Sequence, residues 1–239
     1  MWKYLNPSKY REFLRKKLIG YKKSYSQTGE DMILDFFLDS KNSGFYVDVG
    51  ANHPAGLNNT CYFYERGWRG INIEPNPGYH ALFLKQRPRD INLNLGIGRD
   101  PGTMDFYLFR PDTLSTFSKE VAAEYQKMGH ALAETKKIKV LPLREVFKEH
   151  LQKKEIDFLS MDTEGYDLEV LQSNDWTRYR PKFVMVETLE YRRDGLGAKL
   201  NHIYDPYFAG LRYVKVADTW INSIYVDKKL APSLNLKLN

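Results

Sequence analysis

Apolar residues along this chain come in two rhythms. Short runs rich in apolar residues cover 45–49, 69–74, 90–95, 156–161 and 182–186, and each breaks on a small or acidic residue. Runs of that length, with many β-branched and aromatic members, suit buried strands. Between them, apolar positions recur at helical spacing over 29–38, 59–66, 78–85, 143–150, 167–172 and 197–209. This alternation predicts an α/β domain around a mostly parallel sheet. Residues 211–217 and 219–226 then alternate apolar and polar, with Ala217-Asp218 between them. That connection is too short for a crossover, so the pair must be an antiparallel hairpin. It brings the expected sheet to seven strands.

Two stretches fit the rhythm less well. Residues 103–109 alternate and read as a hairpin partner of the strand at 90–95, across Arg99-Asp100-Pro101-Gly102. Residues 110–139 carry a polar helix at 119–127, then Gly129, His130 and the Lys136-Lys137 pair. They read as a mobile insertion, the candidate lid for an acceptor, with Arg110 and His130 on it. The division expected is an N-terminal extension at 1–23, a main domain at 24–228 with the lid at 110–139, and a loose tail at 229–239.

The strand ends carry acids: Asp48, Glu74, Asp162 and Glu187. A carboxylate at the end of a buried strand is costly unless something pairs with it. At the C-terminal rim of a parallel sheet the usual partner is a ligand in the crevice. Glu74 lies 26 residues after Asp48, the length of one strand–helix–strand crossover. Its two oxygens can accept both hydroxyls of a ribose. Gly50 opens the turn after the first run and lets a ligand approach the backbone. The turn continues Ala51, Asn52, His53, Pro54, Ala55, Gly56, which is not G-x-G-x-x-G. Pro54 also lacks a phosphate-binding N–H. Adenosine without a diphosphate fits better, and S-adenosylmethionine is the common cofactor of that kind. Gln27 before the first helix, Asn52, Pro75 after the second acid, and Gly96-Ile97 at the third strand's exit complete the expected cofactor set, with Asp48, Gly50, Glu74 and Asp162.

Four blocks in order resemble the FkbM-type family of S-adenosylmethionine-dependent methyltransferases: residues 24–31 (SYSQTGED), 47–54 (VDVGANHP), 59–75 around FYERGWRGINIEP, and 161–171 (MDTEGYDLEVL). The resemblance spans roughly residues 24–190. It implies a Rossmann-like class I methyltransferase fold and methyl transfer to a hydroxyl, often on a sugar.

Composition narrows the setting. At 239 residues the chain is long enough for one full α/β core. Its one cysteine, Cys61, leaves no internal disulfide and fits a reducing compartment. No apolar run reaches 18 residues and no signal peptide is visible, so a cytoplasmic protein is expected. The formal charge is +6, and Lys3, Lys9, Arg11, Arg15, Lys16, Lys17, Lys22 and Lys23 face only Glu12 before Glu30. A basic amphipathic helix over 8–19 could touch an anionic membrane, at its inner surface, or simply pack on the domain edge. No nucleic-acid-binding pattern is present. The residues do not fix an oligomeric state.

Methyl transfer to a hydroxyl needs the acceptor's proton removed. His53, Asp162, Glu164 and Glu187 are the candidate catalytic groups. In a metal-free route His53 or Glu164 takes the proton. In a metal-assisted route Asp162, Glu164 and Glu187 hold Mg²⁺, which binds a sugar diol through oxygen. The metal-free route is the slightly favoured expectation. The acceptor expected is a sugar of a polysaccharide or glycolipid. A small natural product such as a macrolide is an alternative, and a non-catalytic nucleotide-binding module is an alternative of another class. An NAD-linked oxidoreductase is weakened by the missing glycine spacing.

Overall fold

The computed structural model describes residues 22–190 and 197–234. The basic helix expected over 8–19, and nearly all of the extension at 1–23, lie outside those residues. The chain runs α1 (Glu30–Phe37), β1 (Phe45–Val49), α2 (Cys61–Glu65), β2 (Arg69–Ile73), α3 (Pro77–Gln86), β3 (Ile91–Leu93), β4 (Gly96–Ile97) and β5 (Gly102–Arg110). It continues α4 (Lys119–Lys127), β6 (Ala131–Leu141), α5 (Leu143–His150), β7 (Phe158–Met161), α6 (Asp167–Gln172) and β8 (Phe183–Glu187). The two-residue strands β9 (Leu189–Glu190) and β10 (Ala198–Lys199) pair with each other before α7 (Asn201–Gly210), β11 (Tyr213–Asp218) and β12 (Asn222–Asp227).

The central sheet has seven strands in the order β11-β12-β8-β7-β1-β2-β3. β3, β2, β1, β7 and β8 are parallel, and β12 and β11 close the edge antiparallel. All five residues of β1 are buried, because helices cover both faces of a parallel sheet. Successive side chains alternate faces. Val47 and Val49 therefore join Ile71, Leu159, Met161, Val184 and Val186 against Leu143, Val146 and Phe147 of α5, Leu171 of α6 and Phe208 of α7. Tyr46, Phe158, Phe183 and Met185 face the other way, onto Leu34 of α1, Tyr62 and Phe63 of α2, and Trp68. Losing one of these buried rings, as in Phe158→Ala, costs about 3–5 kcal/mol. Asp48 shares the face of Tyr46, and this sets its partners.

Four expectations are corrected. Residues 103–109 do belong to a strand, but β5 does not pair with β3. It pairs antiparallel with β6, from Gly102↔Val140 to Arg110↔Ala131, and β4 joins β6 to make a second sheet of three strands. Packing explains the choice: Phe106 and Leu108 of β5 bury against Ile138 and Val140 of β6 and against Phe117, a contact that β3 could not supply. The same pairing turns the second half of the expected mobile insertion into an eleven-residue strand. Of its charged residues, Glu134, Lys137 and Lys139 are exposed and Lys136 is half-buried, so polarity marked the solvent side of a strand rather than a loop. The terminal hairpin turns at Thr219-Trp220-Ile221, later than Ala217-Asp218. In the tail, a 3-10 turn at Ala231–Leu234 buries Ala231, so this part of the expected loose segment is packed. Among the described residues no helix is long and apolar enough to cross a membrane.

Candidate active site

Parallel strands end together, so β1, β2, β7 and β8 deliver their last residues to one rim. A cavity of about 530 Å³ opens there, within the range of small-molecule sites. Every residue expected at the site lines it: Gln27, Asp48, Gly50, Asn52, His53, Glu74, Pro75, Gly96, Ile97, Asp162, Glu164 and Glu187.

The end under β1 and β2 is closely tied. Gly50 has φ 75°, and a Cβ there would lie 1.8 Å from the Asp162 carbonyl oxygen. Only glycine lets the β1 turn lie that near the β7 exit. Glu74 is buried, with one oxygen accepting from the Asn52 amide and the other from the Asn76 amide, both at 2.6 Å. Burial pushes its carboxyl up to about 8, against the pull of those amides. Each oxygen keeps a lone pair, so the clamp between two loops is still shaped to take a ribose diol.

Asp48 is held from behind. The Thr60 hydroxyl donates to its Oδ2 at 2.8 Å and the Asn58 amide at 3.3 Å. Behind them sits Arg87, 1% exposed. Its guanidinium donates to Thr60 Oγ1 and Asn58 Oδ1, both at 2.7 Å, and to the Pro54 carbonyl. One buried cation thus braces the 54–60 loop and, through Thr60, the carboxylate of Asp48. Nothing in the sequence around Gln86-Arg87-Pro88 signalled this role, because the partners are 27 to 33 residues away. Burial still raises the Asp48 carboxyl above its ordinary range.

His53 lines the cavity, but its ring is committed to its own loop. Nδ1 accepts from the Ala55 amide at 3.1 Å and the Gly56 amide at 2.9 Å. A ring nitrogen that accepts carries no proton, so the proton of the neutral ring is on Nε2 and no free lone pair remains to take another. This geometry fits a loop-orienting residue better than a base.

The other end is built by the β7 exit and the end of β8. Asp162, Glu164 and Glu187 each bring a carboxylate oxygen within 4.8 Å of the others. Burial, then the charge of Asp48, raises the Asp162 carboxyl to about 6. Burial, followed by the charge of Asp162, lifts Glu164 and Glu187 well above the carboxylate range. Glu164 sits in the left-handed region at φ 52°, an unusual place for a residue with a Cβ. Two contacts from the β5–β6 insertion hold it there. Thr116 Oγ1 donates to its carbonyl at 2.9 Å, and the Tyr125 hydroxyl of α4 donates to its Oε2 at 2.8 Å. The insertion therefore reaches the site, through Tyr125, Thr116 and the lining residues Asp112–Ser115. Arg110 and His130, the residues singled out on it, are not among those lining the cavity. Tyr125 follows Ala122 on the buried face of α4, which marks it only as core.

The family model described as "Methyltransferase FkbM domain" matches residues 48–213. Two solved structures are similar in shape. One is the O-methyltransferase from Bacillus cereus in complex with SAH, at 12% identity over 94% of this chain and 93% of that one, with a TM-score of 0.37. The other is a putative O-methyltransferase from Klebsiella pneumoniae, at 9% identity over 95% and 92%, with a TM-score of 0.40. No curated protein matches the chain.

Proposed function

The chain belongs to the FkbM family of S-adenosylmethionine-dependent methyltransferases, and from that premise we propose that it methylates a hydroxyl of a sugar in a polysaccharide or glycolipid. The carrying observation is the asymmetry of the cavity. Its β1–β2 end has the shape of an adenosyl site, with a Cβ-free turn at Gly50 and a diol acceptor at Glu74. Its β7–β8 end offers carboxylates to a polyhydroxylated acceptor. Tyr79, Phe117 and Tyr166 on the walls supply ring faces of the kind that stack on sugars.

S-adenosylmethionine supplies a methyl group on a sulfonium, open to in-line displacement. The rest falls to the chain. It must hold the acceptor hydroxyl at near-attack distance and take its proton. Glu164 is assigned the proton, because it lines the acceptor end of the cavity and the fold fixes the orientation of its carboxylate. With an acceptor hydroxyl held against that methyl group, its proton would pass to Glu164. Tyr125 keeps that carboxylate aimed through its hydrogen bond. The basic N-terminal segment would draw lipid-linked or phosphorylated glycans toward the enzyme at a membrane surface.

Incubation of the full chain with methyl-labelled donor and separate panels of sugars, glycolipids and macrolides tests this reading. Label is expected as an O-methyl ether on a sugar of the glycan panels. Label on the macrolides alone would sink the acceptor assignment, and failure to bind S-adenosylhomocysteine would sink the donor assignment.

A further inference from the structure

We propose that Asp162, Glu164 and Glu187 form a binding site for one hard divalent cation, held through oxygen ligands. The proposal rests on the methyltransferase reading and deepens it. A hydroxyl bound to such a cation would give up its proton more easily.

Asp48, Glu74, Asp112, Asp162, Glu164 and Glu187 all line the cavity, and among the described residues no lysine or arginine does. S-adenosylmethionine brings two positive groups and one carboxylate, a net single charge. It cannot balance acids at both ends of the cavity. Buried carboxylates are normally paired or bound to a metal.

Hydrogen-bond donors to these acids are scarce as well. Glu187 is 6% exposed, and among the described residues the one side chain its carboxyl meets at hydrogen-bonding distance is the Asp162 carboxyl, another acid. Asp162 Oδ1 is buried with no hydrogen-bond partner at all. Orphaned buried acceptors are uncommon, and an ion is one of the standard reasons for them. The contrast with Glu74 is direct, since both of its oxygens accept backbone amides.

Oxygens bound on opposite sides of a hard cation lie about 4–5 Å apart, given bonds of roughly 2.0–2.6 Å. The three carboxylate oxygens fit inside that span. Two ligands come from the β7 turn and one from the neighbouring parallel strand, so rigid elements set their spacing. Tyr125 donates to one oxygen of Glu164 and leaves the other free. This is how an outer partner commonly orients a ligating carboxylate. It also explains why Glu164 is held at a left-handed φ by contacts from another element.

Mn²⁺ is a suitable probe because its free and bound forms differ by electron paramagnetic resonance. The full chain would be titrated with Mn²⁺, alone and saturated with S-adenosylhomocysteine, and Mg²⁺ would be used in competition. One saturable equivalent displaced by Mg²⁺ is expected. E187Q, which keeps the shape of the side chain, should abolish it. Y125F should weaken it roughly tenfold, as loss of an outer partner does. Circular dichroism and S-adenosylhomocysteine affinity show that each variant is folded. No saturable binding in either form, or binding unchanged in E187Q, overturns the cation site. In those cases normal S-adenosylhomocysteine binding would leave the methyltransferase reading standing, so the two can fail separately.

Discussion

The two ends of the cavity are built from the same residue type and solve its cost in opposite ways. At the β1–β2 end each acid is answered by the chain. Glu74 accepts two amides, and Asp48 accepts from Thr60 and Asn58 with Arg87 behind them. At the β7–β8 end, among the described residues, Asp162 Oδ1 has no hydrogen-bond partner, the Glu187 carboxyl meets only that of Asp162, and Glu164 has one donor. An acid satisfied by its own fold is a template for a neutral, hydrogen-bonding ligand. An acid left short of donors keeps its affinity for protons and cations. The first arrangement suits shape recognition of an adenosyl group, and the second suits chemistry.

The largest effect that sharpens this contrast comes from Glu164→Gln. Removing a general base typically costs 10²–10⁴-fold in turnover, about 3–5 kcal/mol. Turnover of labelled donor should fall by that order, while S-adenosylhomocysteine affinity, read by calorimetry, stays within about threefold. A large loss of affinity with little loss of turnover would reverse the roles of the two ends.

Gly50→Ala strikes the other end. The added methyl would meet the Asp162 carbonyl, which is backbone and cannot swing aside, and φ 75° is strained for alanine. Donor affinity should drop at least about a hundredfold, near 2.8 kcal/mol. Calorimetry showing affinity near that of the parent would break the claim that this turn shapes the donor pocket.

The smallest effect concerns pH. Glu74 is raised from about 4.5 to about 8 in the folded protein, with burial as the main cause. Between those values the folded chain holds a proton that the unfolded chain has lost. Its contribution to stability is therefore complete below about pH 4.5 and is lost as pH rises toward 8. The melting temperature of the ligand-free protein should fall from pH 6 to pH 8.5, by about 2–4 °C per kcal/mol involved for a chain of this size. Glu74→Gln should flatten that slope. An unchanged slope would mean that Glu74 is ionised at its clamp throughout.

Local chemistry is what the sequence by itself determined. Buried strands can be recognised from short apolar runs, because a doubly covered parallel sheet needs apolar residues on both faces. The acids at their ends stand out because such residues are out of place in a buried run. Parallel strands share one C-terminal rim, so Asp48, Glu74, Asp162 and Glu187 had to meet there once the sheet was parallel. Glu164 and His53 could be named as neighbours of those ends, but not told apart.

Tertiary structure decided which partner each group has. The Nδ1 of His53 turned to its own loop, and Arg87 was drawn in behind Asp48 from a helix end. Tyr125 came to Glu164 from an insertion whose charged strand resembled a loop. β5 chose β6 over β3 because apolar faces pair where they can bury each other, whatever their distance along the chain. Hydrogen bonds and packing between remote segments depend on the closed geometry of the whole sheet, and no short window of sequence contains it.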